Sequence, residues 1–406
     1  MNALTVVGGV YRERCRLPVR TNETWGSGGR AATVAAGLGL KVTLHSPVDS
    51  RNRRMLASLA ENFNFQTIEA TVEVSPEFRY DHGLSTPVIW PPHVPKTVQF
   101  DVDAEEVLIF GMLEAGCRVR AKSVVYDPQN PTSPEPIRFE SAPPRLAYVL
   151  NGAEAMKLAE TQNVLHAAER IAERFGAEVV VVNQGPRGAL VYEKGRAERV
   201  PAYRTDLVWP IGSGDVFAGV FAARWAAQDF SALDASIQAS KAAALYCNSR
   251  VLPIASADLD KTGAFPFREL AISDQPLAQG EFHVYLAGPF FNIGQRWLVE
   301  ESLGSLRAMG LRVFSPLHEI GLGNANSVAP QDIDGLRRSR VIFALVDGLD
   351  AGTVFEVGFA RSLNKPVVVF AESTPEEPLK MMVGTGCEVV SDFVSALYKT
   401  AWTAQE

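Results

Sequence analysis

Cysteine is scarce in this sequence, and the four present, Cys15, Cys117, Cys247 and Cys387, stand far apart. They form no metal-ligand cluster, and their pattern fits ordinary thiols in a reducing cytoplasm. Long apolar runs are missing as well. None approaches the ~18 residues that a membrane-crossing helix needs. The apolar start, 4–10, is too short for a signal-peptide core and has no basic region before it, so a cytoplasmic chain is expected. Positive charge is outweighed: 39 Lys and Arg face 46 Asp and Glu, for a formal net charge of −7. This argues against a nucleic-acid surface as the main function and leaves room for a local basic pocket that holds phosphates. Internal repeats and low-complexity tracts are absent.

What is present is enough apolar residue, 47% of 406, for packed globular domains, and too much chain for one ordinary core. Residues 4–9 read as a first strand, followed by an arginine-rich stretch to Trp25 and by Gly26-Ser-Gly28-Gly29 ahead of an alanine-rich helix at 30–40. A β-rich insertion at 65–90 is either a lid or an edge hairpin. From 107 onward short apolar runs at 107–111, 123–126, 146–150 and 179–183 alternate, in their later part, with helical stretches at 153–158 and 164–175. That alternation implies a mostly parallel sheet covered on both faces. Two alanine-rich helices, to about 228 and over 233–248, precede a stretch without periodicity that contains Pro253, Pro266 and Pro276. We therefore divide the chain into a domain at 1–255, a linker at 256–281 and a smaller doubly wound α/β domain at 282–406. In the last, strands at 283–287, 311–315, 341–346 and 366–370 alternate with helices at 295–309, 332–339 and 354–363, and a final helix covers 392–402.

Two stretches carry chemistry. Gly212-Ser213-Gly214-Asp215 opens a helix, where free amides and the positive end of the helix dipole suit a transferring phosphate. No Lys-Ser or Lys-Thr follows the glycines, so this is not a Walker A loop. An aspartate there can take a proton from an attacking hydroxyl, or it can simply cap the helix. The second stretch, 341–364, reads as strand, tight turn and helix, and it points Asp350 and Glu356 at the crevice past the carboxyl ends of the strands. Its plain alternative is a capping box from Thr353 to Glu356.

Residues Gly28-Gly29, Asn151-Gly-Ala-Glu154, Asn183-Gln-Gly185-Pro-Arg-Gly188 and Gly212 to Asp215 together resemble the signatures of the PfkB, or ribokinase-like, sugar and nucleoside kinases. The resemblance implies a ribokinase-like α/β sheet with helices on both faces and a small β lid at 65–90, and ATP with Mg2+ as cofactors. It makes Asp215 the catalytic base and Gly212, Ser213 and Gly214 the anion hole. Asn151 and Glu154 would organise phosphates and metal, with Glu154 as the metal residue. Asn183, Gly185 and Gly188 would lie by the nucleotide, and Gly28 and Gly29 on the acceptor side. The chain departs from the pattern at Trp209-Pro210, where Asp-Thr is usual, and at Thr33, where asparagine is. No aspartate follows the first strand, and Glu13 is the only nearby acid. The ATP end is kept and the acceptor end rewritten.

In the last third, Tyr285-Leu-Ala-Gly288-Pro289-Phe290, then Gln331-Asp332-Ile-Asp-Gly, then Asp350 and Glu356 occur in the order seen in nucleoside 2-deoxyribosyltransferases, which this part resembles. That family implies a flavodoxin- or Rossmann-like doubly wound domain that uses no cofactor. Glu356 would be the nucleophile, Asp350 would steer the base, and Asp332 would assist the leaving base. Tyr285, Gly288, Pro289 and Phe290 would line the pocket. The family completes its pocket with an Asn-x-Met element from a neighbouring subunit. The resemblance thus implies a homo-oligomer. The nearest match here is Lys380-Met381-Met382, with lysine where asparagine is usual, and a lysine can face a 5'-phosphate in place of a 5'-hydroxyl, so a preference for nucleoside monophosphates is expected. The partners expected are small molecules: nucleosides, nucleotides or sugars.

Overall fold

The computed structural model describes residues 2–130, 133–137, 139, 141–260, 265–273 and 275–406. The chain separates into two compact units, Met1–Thr205 with Trp209–Glu269 and Asp206–Val208 with Leu270–Glu406.

In the first unit, runs of β-branched and aliphatic residues such as Val179–Asn183 and Glu106–Phe110 are buried on both faces, as strands of a covered parallel sheet must be. The central sheet runs in the order Arg196–Val200, Ala189–Glu193, Val179–Asn183, Arg145–Asn151, Ser123–Asp127, Glu106–Phe110, Ala3–Val7, Lys41–Val48, Gln66–Thr71. Its strands pair in parallel except at the end formed by Val179–Asn183, Ala189–Glu193 and Arg196–Val200. One face is covered by the alanine-rich helices Gly26–Gly37, Ser213–Trp225 and Ala232–Ser249, which bury Ala31, Val34, Phe217, Phe221 and Ala239. The other face is covered by Gly152–Leu158 and Val164–Phe175, with Leu158 and Ile171 inside.

The β-rich insertion is not one lid: Gln66–Thr71 is the edge strand of the central sheet, because its alternation pairs with Lys41–Val48. The separate small sheet is Thr21–Thr24, Arg12–Cys15, Glu77–Tyr80, Val88–Trp90, so half of it comes from the arginine-rich stretch after the first strand. The segment 256–281 is not a plain linker either. Helix Ser256–Asp260 buries Leu259, and strand Arg268–Glu269 pairs with Tyr203–Arg204, so the first unit runs on to Glu269.

The second unit is built on a parallel sheet ordered Val313–Phe314, Phe282–Ala287, Ser339–Leu345, Val367–Phe370, Glu388–Val390. The order reverses between the first two strands of this unit and the third, which places a crevice at the carboxyl ends of Phe282–Ala287 and Ser339–Leu345. The helix expected at 332–339 instead spans Ala325–Arg337. Asn324 caps it, and Pro330 lies inside the helix without ending it. Asp332 thus projects from a helix interior, not from its first turn. Helix Glu376–Gly384 and strand Glu388–Val390 were not legible, being short and broken by Pro378, Gly384 and Gly386.

Candidate functional sites

In the second unit the site is assembled from one strand and two helices. Tyr285 lies in Phe282–Ala287, with its ring stacked on Phe314 at 5.5 Å and its hydroxyl donating to Glu356 Oε1 at 2.5 Å. Glu356 sits in the second turn of helix Ala351–Ser362. The capping box considered for Thr353 and Glu356 does not form. The cap is Asp350, whose Oδ2 accepts from the Thr353 amide at 2.9 Å and from its hydroxyl at 3.1 Å, and this leaves Glu356 free to turn toward Tyr285. Burial pushes Glu356 up to about 7; the Tyr285 hydrogen bond opposes the shift, and Asp332 and Asp350 add to it. Asp332 is raised as well, by burial. Its Oδ1 is buried with no hydrogen-bond partner, which is uncommon for a buried polar atom.

Tyr285, Asp332, Asp350 and Glu356 therefore converge. Gly288-Pro289-Phe290 leave the same strand, and a Cβ at Gly288 would come within 3.0 Å of the Leu345 side chain. Met382 departs from expectation. It is buried in the core of its own unit beside Val357 and Leu379, because helix Glu376–Gly384 turns that face inward, and Met381 is the exposed neighbour. Lys380 is exposed and paired with Glu377 one turn away.

In the first unit Asp215 lies in the first turn of Ser213–Trp225 and is buried. Both its oxygens are engaged: Oδ1 accepts from Gln129 Nε2 at 2.7 Å and Oδ2 from Arg30 Nη1 at 3.1 Å. Arg30, 1% exposed, also donates from Nη1 to Glu13 Oε1 at 2.8 Å, from Nη2 to Glu13 Oε2, and from Nε to the Tyr246 hydroxyl at 3.2 Å. Burial pushes Asp215 up to about 6 against the pull of Arg30. Asp127, at the end of Ser123–Asp127, is raised well above the carboxylate range by burial and by the charges of Glu154 and Asp215. Glu154 is pushed by burial to about 7. These three carboxylates share one region at the carboxyl ends of the strands.

Asn151 and Glu154 also have a structural task, a reciprocal capping box on Gly152–Leu158 with contacts of 2.9 and 3.0 Å. Gly212, with φ of +83°, is the left-handed cap of its helix, and a Cβ there would strike the Arg30 guanidinium at 2.2 Å. Ser213 turns both amide and hydroxyl back to the Pro210 carbonyl, at 3.0 and 2.8 Å, whereas the space over Gly214 is open. Gly28 is required by backbone contact: its Cβ would lie 2.5 Å from the Gly8 carbonyl oxygen. Gly29 packs against Val10 and Leu59. Asn183 ends its strand, and Gly185–Arg187 form a short 3-10 turn closed by Gly188 N to Gly185 O at 3.1 Å, with Gln184 N also bonded to Gly188 O at 2.8 Å.

Residues 145–255 match the family model of the pfkB family carbohydrate kinases, and residues 284–389 match that of the nucleoside 2-deoxyribosyltransferases. The two matches do not overlap, and both families are of enzymes. A cytidine kinase of Thermococcus kodakarensis is 39% identical over 75 residues, 18% of this chain and 27% of that protein. A 2-dehydro-3-deoxygalactonokinase of Haloferax volcanii is 42% identical over 57 residues, 14% of this chain and 18% of that protein. The chain thus spans well under two thirds of the length of these curated relatives. Similar solved structures include a double mutant of a Vibrio cholerae fructokinase in a form bound to fructose, ADP and potassium ion, at 17% identity and a TM-score of 0.47, covering 62% of this chain and 93% of that one. A Thermotoga maritima ribokinase aligns at 16% identity and a TM-score of 0.45, covering 61% and 93%.

Tyr285, Asp332, Asp350 and Glu356 all fall inside the deoxyribosyltransferase segment. Asn151, Glu154, Asn183 and Gly212 to Asp215 fall inside the pfkB segment. Glu13, Gly28, Gly29, Arg30, Asp127 and Gln129 precede it. Sequence reasoning passed over Arg30, Gln129, Asp127 and Glu114. Asp127-Pro-Gln directly after a β-branched strand was the available signal for two of them. Glu114, 2% exposed and pushed by burial to about 7, keeps Oε1 without a hydrogen-bond partner.

Proposed function

We propose that the C-terminal unit breaks the N-glycosidic bond of a nucleoside or nucleotide through Glu356, and that the N-terminal unit phosphorylates a sugar or nucleoside hydroxyl with ATP. The observation that carries the first half is the placement of Glu356: it is released from helix capping by Asp350, held by Tyr285, and set beside an Asp332 oxygen that has no partner. Ionised Glu356 attacks the anomeric carbon as the C–N bond breaks, and the bonding pair leaves with the base. Asp332, whose proton affinity burial raises, would give a hydrogen bond or its proton to that base. Water or a second base then opens the glycosyl ester and restores Glu356. A nucleoside-like small molecule is the partner, and a homo-oligomer is the assembly we infer.

In the N-terminal unit Asp215 would take the proton of the acceptor hydroxyl, with the Gly214 amide in the first turn of its helix facing the phosphoryl oxygens. A magnesium ion would fit the local charge, because Asp127 is buried with its proton affinity raised by the charges of Glu154 and Asp215, themselves buried carboxylates. Among the described residues no three such side chains are arranged as a complete metal site, so nucleotide phosphates would supply the remaining ligands. When bound, the ion would neutralise charge on the phosphates.

A second reading is favoured by one observation, that both Asp215 oxygens are already engaged. On it the N-terminal unit binds nucleotide as a sensor and transfers nothing. The test is chromatography of nucleosides and monophosphates incubated with the protein, with and without Mg-ATP. Base release that vanishes in Glu356→Gln supports the glycosidic reading, and release that persists ends it. ADP formation that needs both an acceptor and Asp215 eliminates the sensor.

A further inference from the structure

Asp347 takes no part in the chemistry above, yet it gathers more donors than any acid of that site. The amides of Glu372, Ser373 and Thr374 donate to its carboxylate at 2.8, 2.9 and 2.9 Å, and the hydroxyls of Ser373 and Thr374 add contacts of 3.1 and 2.8 Å. Three successive amides around one anion form a nest, here filled by the chain's own side chain. Burial opposes the charge, but these donors hold Asp347 below the ordinary carboxylate range.

The location gives the nest its meaning. Asp347 lies just past strand Ser339–Leu345 and residues 372–374 just past the neighbouring strand Val367–Phe370, with the two strands still joined there by Val346 N to Phe370 O at 3.1 Å. The turn that starts at Asp347 is tight and unfavourable: Gly348 and Leu349 take φ of +87° and +49°, and Leu349 N bonds back to Val346 O at 2.8 Å. Its next residue is Asp350, the cap that starts the helix carrying Glu356.

We propose that Asp347 is a positioning residue of the C-terminal site. By anchoring the first residue of the turn to the adjacent loop, it fixes the entry of helix Ala351–Ser362 and so the meeting of Glu356 with Tyr285. The inference rests on the glycosidic reading for its kinetic consequence and on the geometry alone for its structural one. Misplacement of a reacting group by about 1 Å costs on the order of 100-fold in rate.

The experiment compares Asp347→Ala, Asp347→Asn and the milder pair Ser373→Ala with Thr374→Val, each scored per folded molecule. Base release should fall about 10- to 100-fold in kcat for Asp347→Ala, with little change in KM, and less for Asp347→Asn, whose one oxygen can keep the four donors now on Oδ1. The double variant should fall in the same direction and by less, and it serves if Asp347→Ala does not fold. Hydrogen exchange gives a readout independent of activity: amides at 353–356 should exchange faster in each variant, while those of strand Phe282–Ala287 stay protected. Unchanged kcat together with unchanged exchange at 353–356 overturns the proposal. Wild-type protein that releases no base overturns the glycosidic reading instead, and the exchange result then decides the positioning role by itself.

Discussion

Replacing Tyr285 with phenylalanine separates two things that the tyrosine does. Its ring is fully buried and stacked on Phe314, and phenylalanine keeps that packing. What is lost is the hydroxyl that donates to Glu356 at 2.5 Å. A buried hydrogen bond to a charged group contributes about 1.5–3 kcal/mol, and ~1.4 kcal/mol corresponds to one pH unit in an ionisation. This bond favours the ionised form, since it pulls Glu356 down against burial and against Asp332 and Asp350. Wild-type base release should therefore rise with pH on an acid limb centred near the value of about 7 to which Glu356 is pushed. In Tyr285→Phe that limb should move up by about one to two pH units. At pH 6 the variant should be slower by about 10- to 100-fold, with the gap closing in alkaline buffer. The assay is release of free base followed by chromatography from pH 5 to pH 10. A limb that stays at the wild-type pH, or an equal loss at every pH, would refute the assignment of that limb to Glu356.

Thermal unfolding of Glu356→Gln tests the same group through stability. The folded state holds the Glu356 proton up to about 7, above the ordinary 4.5, so wild-type stability present below pH 4.5 is lost as pH rises toward 7. Glutamine has no such loss, so the variant's Tm relative to wild type should be level in acid and higher above pH 7. Arg30→Met should destabilise the N-terminal unit by about 3–5 kcal/mol at pH 8, because Glu13 and Asp215 are then buried without their cation. The deficit should shrink near pH 5, because Asp215, held down to about 6 by Arg30 in the wild type, is protonated there once that pull is gone, and denaturant titrations at the two pH values would show it. Gly28→Ala should cost about 1–3 kcal/mol, read by the same titration, since the added methyl meets the Gly8 carbonyl oxygen at 2.5 Å, and backbone offers no rotamer for relief.

The alternation of β-branched runs with helical spacing was enough to read a parallel sheet in each part of the chain, because in both sheets the strands are covered on two faces and keep their apolar character throughout. The β-rich insertion misled for the opposite reason. Gln66–Thr71 and Glu77–Tyr80 are both short strands of mixed polarity, and only the partner strand tells the edge of the central sheet from the small sheet. Helix Ala325–Arg337 began seven residues earlier than read, since Pro330 signals a start or a stop locally and is here accommodated inside.

The same distinction between local and distant information separates the two sites. The C-terminal acids were legible because Asp350 and Glu356 share one turn and one helix, and the local signal erred only in giving the cap to Thr353. The N-terminal site depends on Arg30, whose partners stand 17, 185 and 216 positions away in Glu13, Asp215 and Tyr246. No spacing rule reaches that far. In a sequence, an arginine in an alanine-rich helix reads as a solvated side chain; buried against two carboxylates, it is an ion triad that determines whether Asp215 is free to act. That makes Arg30 the residue on which the kinase and sensor readings divide. If an acceptor can lift the guanidinium from Asp215, phosphoryl transfer follows. If the triad holds with nucleotide and acceptor both bound, the carboxylate stays paired and the site can only bind.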